Sequence, residues 1–213
     1  MASKWILITG TGTDVGKTYY ASALAETRRR AGRRVGVYKP VASGCRADED
    51  GRPIAGDAVS LWRAAGKPLT LQSVCPQSFV AALAPPEAAA AEGRQVDEER
   101  LISGLQVWGD FEEVLIEGAG GLFSPISDSM LNLDFAIKLQ KLHPIEVTLV
   151  ASNRLGVQHD VIACVRAAQA AGLSIDEVIL NPIQPDSSTA TNAAKLARWI
   201  QIPIRSCSSA HPL

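Results

Sequence analysis

Short apolar runs alternate along this chain with longer stretches whose apolar positions recur at helical spacing. The runs Trp5–Thr9, Val35–Tyr38, Val114–Ile116, Ile145–Val150, Val178–Leu180 and Ile202–Ile204 lack polar alternation. A strand covered on both faces reads this way, so the runs predict parallel strands. Helices are predicted over Lys17–Arg30, Asp57–Ala65, Asp97–Val107, Leu133–Leu142, Gln158–Ala171 and Thr189–Ile200, with Gly32, Gly66 and Gly172 where C-terminal caps belong. This alternation predicts an α/β fold: a single doubly wound, mostly parallel sheet flanked by helices, binding ligands at the carboxyl ends of its strands. The stretches Val41–Gly56 and Pro68–Arg94 carry many Gly, Pro and Ala residues and are expected to form loops and short helices over that site.

Composition narrows the picture. The 213 residues suit one domain, residues 1–213, with 46% hydrophobic and 20% charged residues, close to globular averages. A net charge of −1 and a pI near 6.3 give no electrostatic case for nucleic acid or an anionic membrane as partner. The one basic cluster, Arg28, Arg29, Arg30, Arg33 and Arg34, falls at the end of the first helix, where cations oppose the negative end of the dipole. Cys45, Cys75, Cys164 and Cys207 are scattered without a C-x-x-C pair and read as reduced thiols. The apolar run at the N-terminus is too short for a signal peptide, and no stretch approaches the roughly 18 apolar residues of a membrane span. A soluble, cytoplasmic protein is expected.

Chemistry concentrates where strands end. Gly10-Thr11-Gly12-Thr13-Asp14-Val15-Gly16-Lys17-Thr18 follows the first strand and opens the first helix, the context of a phosphate-binding loop. Its glycines let backbone N–H groups turn toward one concavity, and the helix N-terminus adds positive potential. Lys17 can reach β- and γ-phosphates and the Thr18 hydroxyl can ligate Mg²⁺. Five residues separate Gly10 from Gly16, one more than the usual spacing. Lys39-Pro40 at the end of the second strand offers a second cation, suited to neutralising charge on a transferring phosphoryl group. Asp57 reads equally as a helix N-cap or as a carboxylate for Mg²⁺. Glu117 ends the third strand as the metal-holding acid of phosphate-loop enzymes does, and Gly118-Ala119-Gly120-Gly121 allows close backbone approach to a ligand. Asn181-Pro182 fits a nucleobase-reading amide or a turn. His143 and His159 have no metal-ligand spacing and read as structural.

Taken together, these segments resemble the dethiobiotin synthase family over nearly the whole chain. The family's T-G-T-D-T-x-V-G-K-T is matched by Thr9–Thr18, including the long spacing, with Gly12 in place of the family's Asp. Lys39-Pro40-Val41-Ala42-Ser43-Gly44 matches K-P-V-x-S-G, and Glu117-Gly118-Ala119-Gly120-Gly121 matches E-G-A-G-G. Phe123–Ile126, Ala84-Pro85-Pro86 and Leu155-Gly156 follow at fitting positions, and His211-Pro212-Leu213 corresponds to a late Pro-x-L segment.

The resemblance implies ATP-dependent ring closure of 7,8-diaminononanoate with CO₂ to the cyclic urea dethiobiotin, in biotin biosynthesis. Lys39, Lys17 and Thr13 are implied for catalysis, with Ser43, Leu155 and Gly156 for the substrate. ATP is implied at Asp14, Val15, Gly16, Lys17, Thr18, Tyr19, Asp57, Glu117, Gly118, Ala119, Gly120 and Asn181, and Mg²⁺ at Thr18, Asp57 and Glu117. A homodimer is implied, with the Leu155–Gln158 loop of one chain taking the substrate's carboxylate tail at the other. The competing class, a partitioning or septum-site switch ATPase, carries a second Lys inside the phosphate loop, and Gly10 through Gly16 contains none.

Overall fold

A computed structural model describes residues 3–207. Lys4–Gly10 (β1) leads through the glycine loop into Lys17–Arg30 (α1), followed by Val35–Tyr38 (β2). A two-stranded hairpin of Arg46–Ala47 (β3) and Pro53–Ile54 (β4) precedes Gly56–Ala64 (α2), Leu71–Val74 (α3), Pro85–Ala91 (α4) and Glu98–Ser103 (α5). Then come Glu113–Glu117 (β5), Asn132–Leu142 (α6), Ile145–Ser152 (β6), Val157–Ala170 (α7), Glu177–Asn181 (β7), Asn192–Leu196 (α8) and Ile204–Ser206 (β8).

Six strands form one sheet in the order β2-β5-β1-β6-β7-β8, and every pair in it is parallel. β1 lies inside the sheet with β5 on one side and β6 on the other, and six of its seven residues are buried. That burial explains the unbroken apolar run: a central strand with helices over both faces has no solvent side to make polar. All six expected strands are present. The loop leaving β1 therefore opens at the carboxyl edge of the sheet, where doubly wound folds place ligands.

Several boundaries differ for identifiable reasons. The helix expected over Asp97–Val107 stops at Ser103 and resumes as a 3₁₀ turn at Gln106–Trp108. Gly104 intervenes, packed so tightly that a Cβ there would meet Tyr38 Oη at 2.3 Å. The helix expected over Thr189–Ile200 is confined to Asn192–Leu196, because Asp186, Ser188 and Thr189 bond side chain to backbone instead. The last strand begins at Ile204 rather than Ile202, since Pro203 has no N–H to give the ladder. The β3–β4 hairpin falls in the stretch expected to hold no strand, closed by Asp48 Oδ1 accepting from the Asp50 and Arg52 N–H groups. Gly32, Gly66 and Gly172 do cap their helices, at φ 82, 85 and 84°.

Among the described residues no helix is long and apolar enough to cross a membrane. The four cysteines are free and buried. His143 stacks on Trp5 with ring centroids 4.1 Å apart. The segment His211-Pro212-Leu213 lies outside the described residues.

Candidate active site

The loop from Gly10 to Gly16 is held at both ends. Thr11 N–H bonds the Val150 carbonyl at 3.0 Å, tying it to β6, and Asn181 Nδ2 donates to the Val15 carbonyl at 3.2 Å, bracing it from β7. Gly16 has φ 92°, and a Cβ there would lie 1.7 Å from Asn181 Nδ2, so only glycine fits. No side chain caps α1 at this glycine. Its first N–H groups are thus directed into the loop, the arrangement that receives anionic oxygens. Lys17 is 6% exposed and its Nζ donates to the Gly12 carbonyl at 3.0 Å. Burial, reinforced by the charge of Lys39, pulls its pKa down from 10.5 to about 8.

A second cluster closes beside it. β5 pairs with β1 so that Glu117 sits opposite Ile8, and its carboxylate reaches the first turn of α1. Glu117 Oε1 accepts from Thr18 Oγ1 at 2.8 Å and from Lys39 Nζ at 2.6 Å. Lys39 also donates to the Gly118 carbonyl at 3.1 Å and pairs with Asp57 at 3.3 Å, while the Lys39 N–H bonds the Val74 carbonyl at 2.8 Å. Lys39 is 3% exposed and Glu117 1%. Burial works against the Lys39 charge, but Glu117 and then Asp57 outweigh it and hold the pKa above the ordinary lysine value. Asp57 is not the N-cap of α2. That position is Ala55, without a side-chain bond, and Asp57 lies in the first turn with its carboxylate on Lys39.

Among the described residues Glu117 Oε2 is buried without a hydrogen-bond partner. A buried carboxylate oxygen in that condition costs free energy unless a cation or donor meets it. With the Thr18 hydroxyl 2.8 Å from its sister oxygen and Asp57 nearby, the donor set is hard oxygen throughout, as Mg²⁺ requires. These residues fit Mg²⁺, which is bound by one or two carboxylates together with substrate phosphates.

Thr13, Asp14, Gly16, Lys17, Thr18, Lys39, Ser43, Asp57, Glu117, Ala119 and Gly120 line one cavity of about 450 Å³. A second cavity of about 460 Å³ shares Thr13, Asp14, Ser43, Ala119 and Gly120 and extends beneath Ala82–Pro85, giving room for a substrate next to a nucleotide. Ser43 faces this junction and donates to the Leu83 carbonyl at 2.6 Å. Val15 and Gly118 act through their carbonyls, while Tyr19 is 47% exposed on α1 outside both cavities. Leu155 and Gly156 line neither; Leu155 is 78% exposed on the turn before α7. Asn181 is 6% exposed and spends its amide nitrogen on the loop. A cavity larger than either, about 600 Å³, opens elsewhere, around Trp5, Leu142 and His143 at the amino ends of the strands, and holds none of these groups. Chemistry, not size, marks the site.

One residue with a clear part was not anticipated. Asn132, 3% exposed, accepts from Ala119 N–H at 3.1 Å and donates to the carbonyls of Ala119 at 2.7 Å and Ser124 at 2.9 Å. It fixes the Gly118–Gly121 loop against α6. A polar residue opening the predicted helix at Leu133 was the available signal, and it reads as an ordinary cap.

The sequence profile of the AAA_26 family, an AAA domain, matches residues 4–207. The chain is 52% identical over 213 residues to ATP-dependent dethiobiotin synthetase BioD of Rhodopirellula baltica, covering 96% of this chain and 83% of that protein. It is 38% identical to the protein of the same name from Caulobacter vibrioides, over 84% of this chain and 80% of the relative. With ATP-dependent dethiobiotin synthetase BioD 1 of Escherichia coli the identity is 34%, over 95% and 88%. Among solved structures, the signal recognition particle receptor FtsY of Elizabethkingia anophelis aligns with a TM-score of 0.50 and 15% identity, over 96% of this chain and 58% of that one. That likeness speaks to the fold alone. The phosphate loop, the buried Lys–Glu pair and relatives at this level of identity agree: the chain belongs to the ATP-dependent dethiobiotin synthetases.

Proposed function

We propose that this protein closes the ring of dethiobiotin from 7,8-diaminononanoate, CO₂ and ATP, as one domain spanning residues 1–213, in a homodimer in the cytoplasm. The observation that carries the reading is the second lysine: Lys39, buried on Glu117 at 2.6 Å, shares one cavity with Lys17 and Ser43. The switch ATPases carry their second lysine inside the phosphate loop, whereas Lys39 follows β2 and stands beside Ser43, where an anionic acceptor would approach a γ-phosphate.

One amine of the diamine adds to CO₂ and loses a proton, giving a carbamate. A carbamate oxygen then attacks the γ-phosphorus as the bond to ADP breaks. The second amine attacks the carbonyl carbon of the mixed anhydride, phosphate leaves, and the cyclic urea results. The free N–H groups of α1 and Lys17 hold the triphosphate, while Lys39 opposes the repulsion between carbamate and phosphate. Thr13 and Ser43 offer hydroxyls to orient the diamine. No side-chain nucleophile is needed, because phosphoryl transfer rests on positioning and charge neutralisation. Thr18, Asp57 and Glu117 would hold Mg²⁺, which when bound would supply further neutralisation of the triphosphate charge.

Asn181 is assigned the nucleobase through its remaining amide oxygen, and Asp14–Tyr19 with Glu117–Gly120 the phosphates and ribose. The turn at Leu155–Gly156 is assigned the carboxylate tail of the substrate bound by the other subunit. Its exposure on a turn outside the chain's own cavities supports that role. The switch-ATPase alternative is not favoured, since the relatives at 34–52% identity are named as synthetases.

The test is mass detection of the cyclic urea from the diamine, bicarbonate, ATP and Mg²⁺. Product and phosphate should appear together only when both diamine and bicarbonate are present. ATP turnover indifferent to either would remove the assignment.

A further inference from the structure

The turn before α7 is gripped by a segment of the chain that follows β7. Asp186 Oδ2 accepts the Leu155 N–H at 2.7 Å. Thr189 Oγ1 donates to the Asn153 carbonyl at 3.2 Å, and Asn192 Nδ2 reaches the Arg154 carbonyl at 3.3 Å and Asn153 Oδ1 at 2.9 Å. Three successive backbone groups are therefore held by side chains from elsewhere. Asn153 and Asn192 are 2% and 1% exposed, so their mutual bond is buried and anchors the clamp, while Asp186 grips the turn from the surface.

Asp186 is itself fixed. Its Oδ1 accepts from the Ser188 N–H at 2.8 Å and the Ser188 hydroxyl at 2.6 Å, and its own N–H donates to Thr189 Oγ1 at 2.9 Å. Both carboxylate oxygens are thus engaged with donors of the clamp. The Ser188 hydroxyl, with the N–H groups of Leu155 and Ser188, brings its carboxyl down to about 2, so the clamp is ionised at any assay pH.

With the turn held this way, Gly156 adopts φ 95° and opens α7 without a side-chain cap. Among the described residues, the N–H groups of Gly156, Gln158 and His159 have no protein acceptor. The Leu155 N–H is removed from that set by Asp186, which defines which donors face outward.

The geometry points to Asp186 as a positioning residue for substrate-tail recognition: it fixes the Leu155–Gly156 turn so that the N-terminal N–H groups of α7 meet the carboxylate of the diamine. This rests on the proposed synthetase reading, and adds to it a residue that touches neither substrate nor nucleotide. A positioning residue for the tail affects only substrates that have one.

The experiment compares diaminononanoate with 2,3-diaminooctane, the same vicinal diamine without its carboxylate. Asp186→Ala should raise KM for diaminononanoate about fivefold or more, leaving kcat and the KM for ATP within about twofold. The KM for 2,3-diaminooctane should stay within about twofold of wild type. Asp186→Asn, whose amide oxygen still accepts the Leu155 N–H, should recover most of the loss. Thr189→Val, which removes the hydroxyl that anchors Asp186, should reproduce the same split. Equal changes for both diamines, or no change for either, would overturn the assignment of Asp186. A wild-type enzyme that makes no cyclic urea would instead overturn the parent reading and this one with it.

Discussion

Lys17 and Lys39 bring the same ammonium group into one cavity, and their surroundings pull its proton affinity in opposite directions. Lys39 has a buried carboxylate at 2.6 Å, whereas Lys17 has only the Gly12 carbonyl at 3.0 Å. At about pH 8 Lys17 is half deprotonated in the free protein, and a bound triphosphate would return the proton. Nucleotide binding at pH 8 should therefore take up about half a proton, and affinity should fall as pH rises beyond 8. Calorimetry in two buffers of different ionisation enthalpy measures both; binding without proton uptake between pH 7.5 and 8.5 would contradict the assignment. Between about 8 and 10.5 the unfolded chain keeps this proton and the folded protein does not, so stability of the nucleotide-free protein contributed by Lys17 rises with pH across that window. The residues of this cluster were legible because their types and spacing are dictated by phosphate chemistry. Asn132 and the Asn181–Val15 contact were not, because the first depends on how the glycine loop folds back on α6 and the second on β7 coming to lie near the phosphate loop.

At the scale of elements, the join between β1 and α1 leaves no freedom at Gly16. Gly16→Ala would place a methyl carbon against Asn181 Nδ2 and force φ 92° on a residue with a Cβ. It should cost about 2 kcal/mol of stability by urea titration and at least about tenfold in nucleotide affinity. Asn181→Ala in the same chain removes the collision but not the backbone strain, and should recover part of the loss. Unchanged affinity in Gly16→Ala would show that the loop rearranges freely. The elements themselves were readable where one force dominated. The strands of a covered parallel sheet are apolar throughout, and their runs locate them. The helix start expected at Thr189 misled because Asp186, Ser188 and Thr189 prefer side-chain bonds to the helical ladder, and their partners at Asn153 and Leu155 are about thirty residues away. The β3–β4 hairpin is only two residues per strand, too short to show a period.

For the molecule as a whole, the separation of Leu155–Gly156 from the chain's own cavities makes the proposed synthetase depend on assembly. If two chains complete each site, a Lys39→Ala subunit and a subunit disabled at the α7 turn should complement each other. Mixed in equal amounts, half of the dimers are hybrids with one intact site, so activity should reach about a quarter of wild type. Activity no higher than the sum of the separate variants would place the whole site within one chain. The strand order carries a consequence for biosynthesis. β1 emerges first from the ribosome, yet its neighbours β5 and β6 begin more than a hundred residues later. The buried run Trp5–Gly10 must therefore wait until just over half of the chain is made before its first flank, β5, can cover it. A nascent chain cut short before Ser152 has no finished cradle for a nucleotide, since β6, which ties the loop through Val150, is incomplete and Asn181 has yet to be made.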